Sequence, residues 1–497
     1  MRDVVICVVL ATGIVTAQGT SGRPSVPRTW DTRALSDWAT PLANINLRPG
    51  HFSEDEYYRA PLDNYRTYPV YDPDREPAGY WDLIRRKKPE PLIDLSKVNA
   101  SFNWTLAGKR VWDEIDVPLF RLYDAESVSM ARSAEYMRKN RDRILFLADG
   151  TSAIYRWLVT PRGIALTTTA CSGCHTRVLE NGDAVAGPGL ARLTSDALLD
   201  RMLARPLLTS YVGDSPQMVA YRLFGVPWLP QDIHLGLKSL SDEGMARLFA
   251  AQVPGVTDRP NGSPYYITKI PDLIGIRDRK YIDHTATHQH RGPGDLMRYA
   301  ALVEYSDVME FGHHRMLSDV QRKMYVRWPD EVLYALAQYM YSLQPPPNPN
   351  PQGTLAAAGE KVFVQAGCAA CHTPPLYTNN KLTLAQGFQP PDNHPLRADI
   401  MRLSVGTDPN LALKTRKGTG LYKVPSLKGV WYRGLYGHDG AVATLEDWFD
   451  PARLRGDYVP SGFKGIEVKT RAVPGHEFGL DLKPDGKKAL IAFLRTL

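Results

Sequence analysis

The sequence predicts a mainly α-helical protein in which one helical unit occurs twice in tandem, behind an irregular N-terminal segment that contains a small β-hairpin. Three observations predict this architecture: a short cysteine and histidine motif that occurs twice, a longer block of similar residues after each motif, and an apolar helix at the end of each half. The chain has 497 residues, which is enough for two or three compact units.

The repeated motif is Cys-x-x-Cys-His, which reads CSGCH at residues 171–175 and CAACH at residues 368–372. Two thiols at this spacing lie on one turn of chain and can each bond to a vinyl group of the same haem, while the adjacent histidine binds the iron. The two copies therefore predict two covalently bound haem c groups, named haem 1 and haem 2 in chain order. The residues concerned are Cys171, Cys174 and His175 for haem 1, and Cys368, Cys371 and His372 for haem 2.

Two other kinds of site are also built from Cys-x-x-Cys pairs. Both pairs could bind one structural zinc ion, but they lie far apart in the chain and a histidine directly follows each of them. A thioredoxin-like redox pair expects a βαβ context, which the sequence does not show. Covalent haem attachment explains the cysteines and the histidine together, so we prefer it for both copies.

Further segments repeat in the same order. The block KIPDLIGIRDRKYIDH at residues 269–284 has a counterpart in KVPSLKGVWYRGLYGH at residues 423–438, with lysine, proline, leucine, glycine, arginine and a final histidine at the same offsets. Each half then ends in a segment with helical apolar periodicity, at residues 331–344 and 487–497. The repeats indicate the duplication of a cytochrome c-like unit.

A proline-rich stretch at residues 343–353 separates the two halves, because its prolines exclude a helix and favour an extended spacer. We therefore expect cytochrome c-like domain 1, with haem 1, at residues 153–346. Domain 2, with haem 2, is expected at residues 347–497, and it begins with a helix that leads into the second motif.

Residues 1–17 have the pattern of a signal peptide, with Arg2, an apolar stretch at residues 4–15 and small residues up to Ala17. The apolar stretch is too short to span a bilayer comfortably, so we expect cleavage near Ala17 and no transmembrane anchor afterwards. The expected location is the bacterial periplasm or the medium. Cleavage removes Cys7 and leaves four cysteines, all within the two motifs.

Residues 18–152 form the predicted N-terminal extension, which is rich in proline, tyrosine, aspartate and arginine. A helix is expected at residues 125–144, followed by a β-hairpin that turns at Asp149 and Gly150. We expect an irregular layer over domain 1, with a partner-binding arm as the alternative. The net charge of +7 is mild and the one tight basic run, at residues 85–88, is typical of a solvated turn, so nucleic acid is not an expected partner.

The two motifs, the segment KVPSLKGV and the segment YGHDGAVATLEDWFDP at residues 436–451 together resemble the bacterial di-haem cytochrome c peroxidase superfamily. This group includes the di-haem peroxidases, an enzyme that matures a tryptophan-derived quinone cofactor, and the rubber oxygenases. The resemblance covers residues 169–497 and is strongest from Gly353 onward. It implies that one six-coordinate haem handles electrons, while the other has, or can open, a position for peroxide or dioxygen.

The chain departs from this family at haem 2. A methionine or tyrosine lies about fourteen residues after the histidine of the HDG segment in the relatives, but here that position is Ala452, which cannot bind iron. The resemblance to rubber oxygenases makes His476 the first candidate for the distal ligand, and Met401 is the alternative. His438 is expected to be a packing residue or a partner of the haem carboxylates.

The chain also departs from the family at haem 1, where His284 begins the sequence His-Thr-Ala in place of Trp-Asp-Gly, so the familiar tryptophan between the haems is missing. His284 and His234 are weak candidates for the distal ligand of haem 1. The cluster at residues 284–290 could instead bind a second metal or lie in a solvated loop. Glu310, and after it Glu304, are candidates for the catalytic acid beside haem 1, with surface carboxylates as the alternative.

The sequence therefore predicts an exported, peroxidase-like di-haem oxidoreductase that passes electrons between a small redox protein and an oxidant bound at a haem. Hydrogen peroxide, dioxygen or an organic small molecule is the expected substrate. The alternatives are a rubber-oxygenase-like dioxygenase that acts on an organic substrate and a non-catalytic di-haem electron carrier.

Overall fold

The computed structural model describes residues 24–43, 54–118, 121–141, 144, 146–179, 183–189, 251–257, 266–304, 310–311, 314–315, 326–415 and 418–497. The predicted signal peptide and His234 lie outside these residues, as do the side chains of Glu304 and Glu310. Within the described ranges, no helix combines the length and the apolar character needed to cross a membrane.

The α-helices that the structure describes are numbered here in chain order. They are α1 Thr32–Leu35, α2 Glu54–Arg59, α3 Tyr80–Arg86, α4 Trp104–Glu114, α5 Ala125–Arg132, α6 Ala134–Lys139, α7 Cys171–Cys174, α8 Pro293–Glu304, α9 Asp330–Ser342, α10 Thr354–Gln365, α11 Asn410–Leu413, α12 Val430–Arg433, α13 Leu445–Trp448 and α14 Pro484–Arg495. Short 3₁₀ helices occur at Leu95–Lys97, Ile276–Asp278, Cys368–Ala370 and Pro451–Leu454.

The strands form one three-stranded antiparallel sheet, in the order β1-β2-β3, and several two-stranded ribbons. The three-stranded sheet consists of β1 Thr67–Tyr71, β2 Thr151–Thr160 and β3 Gly163–Thr168. The ribbons are formed by β4 Thr176–Val178 with β5 Ala184–Ala186, β6 Val256–Thr257 with β7 Thr268–Lys269, β8 Tyr281–Ile282 with β9 His288–Gln289, β10 Glu310–Phe311 with β11 His314–Arg315, and β12 Leu382–Leu384 with β13 Leu421–Lys423.

Two pairs of crossing helices form the two principal helical cores: α4 packs across α9, and α10 packs across α14. A glycine lies at each crossing. A Cβ atom on Gly108 of α4 would lie 1.9 Å from the carbonyl oxygen of Ala335, and a Cβ atom on Gly359 of α10 would lie 1.9 Å from that of Ala489. The missing side chain therefore lets the two backbones approach closely at the same point of both pairs.

Helix α4 lies within the segment that the sequence assigned to the N-terminal extension. Its packing across α9 matches the packing of α10 across α14, which favours a first unit that begins with α4, ahead of the predicted boundary at residue 153. The stretch between α4 and the first motif then forms an insertion whose two ends meet. Ala170 N donates to the carbonyl oxygen of Ile115 at 3.0 Å, and Val117 N donates to that of Thr168 at 3.2 Å.

The insertion contains the predicted β-hairpin, but its turn lies elsewhere. The strands β2 and β3 pair from Tyr155 to Thr160, so the hairpin turns between Thr160 and Gly163 rather than at Asp149 and Gly150. The predicted pair forms a smaller turn ahead of β2, where Asp149 accepts a hydrogen bond from the Thr151 amide. Aspartate and glycine are common in both kinds of turn, so their presence does not locate the hairpin. The strand β2 pairs with β3, which follows it, and with β1, which precedes it, and this pairing places the hairpin turn after Thr160.

The helix predicted at residues 125–144 is divided into α5 and α6. Ser133 separates the two helices because its backbone is extended, with φ −76° and ψ 112°, and its hydroxyl oxygen accepts a hydrogen bond from the Tyr136 amide as the N-cap of α6. A serine hydroxyl competes with the helical backbone in this way, which apolar periodicity alone does not reveal.

The two repeated blocks meet through reciprocal hydrogen bonds. Lys269 N, in the first block, donates to the carbonyl oxygen of His438 at 2.8 Å, and Lys423 N, at the same offset in the second block, donates to that of His284 at 3.0 Å. Each block thus bonds its first residue to the last residue of the other. The ends of both blocks therefore lie side by side.

Candidate haem centres

The second Cys-x-x-Cys-His motif forms a single tight turn at the end of α10. Gly367, with φ 77°, changes the chain direction, and the 3₁₀ helix Cys368–Ala370 follows. The backbone amide of His372 donates to the carbonyl oxygen of Cys368 at 2.9 Å, so the turn closes around the motif. Both thiols and the imidazole line the same cavity, as covalent haem attachment requires.

Backbone carbonyl groups hold the imidazole of His372 through one of its two ring nitrogens. Its Nδ1 atom lies 3.1 Å from the carbonyl oxygen of Pro425 and 3.2 Å from that of Tyr377. A nitrogen that donates to a carbonyl oxygen leaves the opposite nitrogen, Nε2, with a free lone pair for a metal ion. Burial lowers the pKa of His372, which keeps the ring neutral and able to ligate.

His476 faces His372 across the cavity, with 6.2 Å between the two ring centres. Two imidazoles bound to opposite sides of one iron, at about 2 Å for each metal–nitrogen bond, place their ring centres about 6 Å apart. The rings of Trp448 and Phe478 each lie 5.4 Å from that of His476 and enclose it. Burial, with a smaller contribution from the nearby His372, lowers the pKa of His476 to about 4, so the ring is neutral.

The lining of the cavity fits a haem group in polarity as well as in donor atoms. Many of its lining side chains are apolar, as a porphyrin requires: Phe363, Val405, Leu427, Val430, Leu445, Phe449 and Leu494. The cationic lining residues are Lys269, Arg279, Lys423 and Arg433, whereas the only acidic lining residue in the described part of the chain is Asp272. A haem carries two carboxylates on one edge, and this excess of cations would balance them.

Two of these cations occupy equivalent places in the two blocks. Arg279 donates to the carbonyl oxygens of Asp272 and Ile274, and Arg433 donates to those of Ser426 and Lys428. The four acceptors lie at matching offsets in the two repeats. The repeated arginine therefore bonds to the backbone of its own block, and its charged side chain also lines the cavity. Burial among other cations lowers the pKa of the neighbouring Lys269 to about 7.

The first Cys-x-x-Cys-His motif has the same local closure as the second. It forms α7, and the amide of His175 donates to the carbonyl oxygen of Cys171 at 2.9 Å. The ring of Trp112, from the crossing helix α4, lies 6.3 Å from that of His175. None of the four motif cysteines forms a disulfide in the structure. Burial raises the pKa of Cys368 to about 11, opposite to the lowered value of a redox-active thiol, which argues against a thioredoxin-like pair.

The structure separates the histidines of the cluster at residues 284–290. His284 Nε2 lies 2.8 Å from the carbonyl oxygen of Lys269, and burial lowers the pKa of His284 to about 3. His290 bonds through one nitrogen to the carbonyl oxygen of Arg279 and through the other to the hydroxyl of Tyr341. The buried ring of His288 packs 4.1 Å from that of Trp38. The cluster is thus neither solvated nor joined into a metal site among the described residues.

The alternative ligand Met401 is not among the residues that line the cavity of haem 2. Its sulfur atom lies 3.4 Å from the side-chain nitrogen of Asn379. His438, expected as a packing residue or carboxylate partner, lines the cavity, stacks against Tyr422 at 4.9 Å and lies 3.3 Å from the hydroxyl of Thr407. These contacts leave His476 as the candidate that faces the second motif.

Other predicted residues fall outside the described part. His234 lies there entirely, and Glu310 and Glu304 are described only in their backbone, in β10 and α8. Conversely, sequence reasoning did not predict that α4 packs across α9. The signal was present, because Ala-Gly-Lys-Arg-Val-Trp at residues 107–112 resembles Ala-Gly-Glu-Lys-Val-Phe at residues 358–363. Arg453, which contacts the His476 loop, was also missed and has no such sequence signal.

No protein-family model matches the sequence, and no curated protein matches it. Among solved structures, the chain is similar to Kuenenia stuttgartiensis hydrazine synthase pressurised with xenon, with 16% identity over 56% of this chain and 86% of that chain, and a TM-score of 0.28. It is also similar to a MauG-like protein associated with microbial copper homeostasis, with 20% identity over 37% of this chain and 61% of that chain, and a TM-score of 0.23. Likenesses this weak carry no argument about fold or activity.

Proposed function

We propose that the protein is a di-haem c-type oxidoreductase in which the two haems have different tasks. The observation that carries the proposal is the pair His372 and His476, which face each other at 6.2 Å over the Cys-x-x-Cys-His turn. An iron with a protein ligand on both faces exchanges electrons but has no open position for a substrate. Haem 2 is therefore proposed as the electron-transfer haem, and haem 1 as the site where an oxidant binds.

The side chains around haem 2 suit an electron-transfer site. The hydrogen bond from His372 Nδ1 to a backbone carbonyl orients the ring, and Trp448 and Phe478 keep water from the imidazole of His476. The cations of both repeated blocks would hold the haem carboxylates at the junction of the halves. When bound, a haem iron would supply the one-electron chemistry, and His372 and His476 would hold it.

At haem 1 we propose a peroxidase-like reaction, in which hydrogen peroxide takes up two electrons and two protons and yields two molecules of water. A small redox protein would supply the electrons through haem 2. His284, a weak candidate for the distal ligand of haem 1, lines the cavity of the second motif, where its Nε2 atom lies 2.8 Å from the carbonyl oxygen of Lys269. Glu310 and Glu304 remain the proposed proton carriers.

Ligand titration of the purified protein tests this proposal. A pyridine haemochrome assay should count two c-type haems per chain, and only one of them should bind cyanide when oxidised or carbon monoxide when reduced. Peroxide should then be consumed with a reduced small cytochrome as the donor. Two haems that both refuse these ligands would indicate an electron carrier without turnover, and a stable dioxygen adduct with cleavage of an organic substrate would indicate an oxygenase.

A further inference from the structure

Arg453 is a fully buried arginine at the end of the 3₁₀ helix Pro451–Leu454, and it hydrogen-bonds only to backbone carbonyl groups in the described part of the chain. Four of its N–H groups are engaged. Nε donates to Trp448 at 2.9 Å, one terminal nitrogen donates to Val473 at 2.6 Å, and the other donates to both Gly475 and His476 at 2.9 Å.

No carboxylate forms an ion pair with Arg453 among the described residues. Burying a guanidinium in this way is unfavourable unless its N–H groups are satisfied, and burial lowers the pKa of Arg453 accordingly. The residues that satisfy it are the three carbonyl groups of the loop 473–476 and the one at the end of α13. The arginine therefore ties this loop to α13.

The loop needs such a tie because its backbone is held in a sparsely populated conformation. Gly475 has φ 80° and His476 has φ 48°, so two successive residues are left-handed, and the second is not a glycine. A Cβ atom on Gly475 would lie 2.2 Å from the Thr407 amide nitrogen, so the loop is pressed against another segment. The amide of His476 also donates to the carbonyl oxygen of Val405 at 2.6 Å.

The same arginine supports the side chain of His476 through a ring. Its guanidinium lies over Trp448, 4.9 Å from the ring centre, and the ring of Trp448 lies 5.4 Å from that of His476. Arg453 thus fixes the backbone of His476 directly and its imidazole through the indole. The ring of Phe478 also lies 5.4 Å from that of His476.

We infer that Arg453 is a positioning residue that holds His476 on the axis of haem 2 and so keeps this haem closed to external ligands. The inference rests on the proposed ligation of haem 2 by His476. It deepens that proposal, because it identifies the contacts that hold the strained loop and keep its imidazole facing His372.

The experiment compares the Arg453→Ala, Arg453→Lys and His476→Ala variants of the full chain with both haems attached. Arg453→Ala should leave haem 2 covalently bound but convert much of it from low-spin to high-spin, and imidazole and cyanide should bind it at least about tenfold more tightly than in the wild type. Arg453→Lys keeps the charge but loses the planar set of donors. Its high-spin fraction and its affinity for imidazole and cyanide should therefore lie between those of the wild type and those of Arg453→Ala. Millimolar guanidinium chloride should restore the low-spin spectrum of Arg453→Ala.

Arg156→Ala is the matched control. Arg156 is also buried and donates to the backbone and hydroxyl of Thr67, but it lies in the three-stranded sheet. Its removal should lower thermal stability without changing the spin state of haem 2. A merely structural Arg453 would behave in the same way and would not respond to guanidinium.

The outcomes separate the two proposals. If His476→Ala becomes high-spin while Arg453→Ala and Arg453→Lys stay low-spin and closed to cyanide, the role of Arg453 is wrong and the ligation by His476 stands. If haem 2 stays low-spin in His476→Ala, the proposed ligation itself is wrong. If Arg453→Ala does not accumulate, Arg453→Lys decides, because a fully low-spin haem 2 in that variant contradicts the requirement for the guanidinium fork.

Discussion

His372 and His476 are separated by about a hundred residues of chain, yet their rings face each other at the distance that one iron between them requires. The residue type alone does not identify either histidine as a ligand. Their role comes from what surrounds them: a carbonyl oxygen behind His372, and two aromatic rings and a buried arginine beside His476. At the scale of the residue, ligation is thus proposed from the packing of the imidazoles.

The first prediction concerns the choice between the two candidate ligands. His476→Ala should convert one of the two haems to a high-spin spectrum, because it removes the imidazole that faces His372. Met401→Ala is the control and should leave both spectra unchanged, since Met401 does not line the cavity. Absorption and electron paramagnetic resonance spectra of the oxidised proteins measure this. If only Met401→Ala gives a high-spin haem, the distal ligand of haem 2 is the sulfur atom of Met401.

A second prediction concerns a buried group of charges that joins the insertion to the segment before α4. Arg121 pairs with Asp63 at 2.7 Å and with Asp116 at 2.7 Å. Burial, opposed by Arg121 and assisted by Asp116, raises the pKa of Asp63 to about 6. Between about pH 4 and pH 6 the folded protein therefore holds a proton that the unfolded chain has released.

This proton binding stabilises the fold at low pH, and the contribution is lost as the pH rises through 6. On going from pH 7 to pH 5, the wild type should gain about 1 kcal/mol in the free energy of unfolding relative to Asp63→Asn, which cannot bind the proton. Thermal or denaturant unfolding of both proteins at the two pH values checks this. An equal pH response in the two proteins would show that Asp63 has its ordinary pKa.

At the scale of the element, each core depends on a glycine at a helix crossing. The pairs α4 with α9 and α10 with α14 approach so closely that a Cβ atom at Gly108 or Gly359 would overlap a backbone carbonyl. The residues one turn further on also correspond, because Gly108 faces Tyr339 and Gly359 faces Phe493. The same local sequence thus builds the same contact twice, and an insertion of more than fifty residues within the first unit leaves it intact.

The third prediction follows from this contact. Gly359→Ala should destabilise the second unit by about 2–3 kcal/mol, since the helices must move apart and neither partner atom is a flexible side chain. Gly353→Ala is the control at the N-terminal end of the same helix, where no atom lies within 4 Å of the added Cβ. Thermal unfolding followed by the haem absorbance measures the difference, and equal stability of the two variants would exclude the close crossing.

At the scale of the whole molecule, the two halves meet through the exchange of hydrogen bonds between Lys269 and His438 and between Lys423 and His284. This junction also gathers the cations that line the cavity of haem 2. Because residues of the first block contribute to the cavity of the second haem, the halves are expected to attach their haems separately but to tune them together.

The fourth prediction tests that separation. His175→Ala should disturb the spectrum of haem 1 while haem 2 remains attached and low-spin, because the ligands proposed for haem 2 all come from residues 368–476. Pyridine haemochrome and redox titrations of the variant measure this. Simultaneous loss of both haem spectra would contradict two independently folded attachment sites.

Much of the candidate site can be predicted from residues that are close together in the sequence. The spacing of Cys368, Cys371 and His372 places three donors on one turn, and that geometry depends only on local backbone. The second block could likewise be recognised as a copy of the first. Helix α4, however, was assigned to the extension, because the insertion that follows it separates it from its motif and hides the correspondence of Gly108 with Gly359.

Composition and local spacing are sufficient to identify the two Cys-x-x-Cys-His motifs, the repeated blocks and the few residues that could oppose His372. The packing of distant segments adds which of these residues faces His372, that cations from both blocks line one cavity, and that Arg453 bonds to the loop of His476. The physical reason is that these contacts join segments distant in the chain. Their formation depends on the close packing of whole elements, which no local pattern of residues encodes.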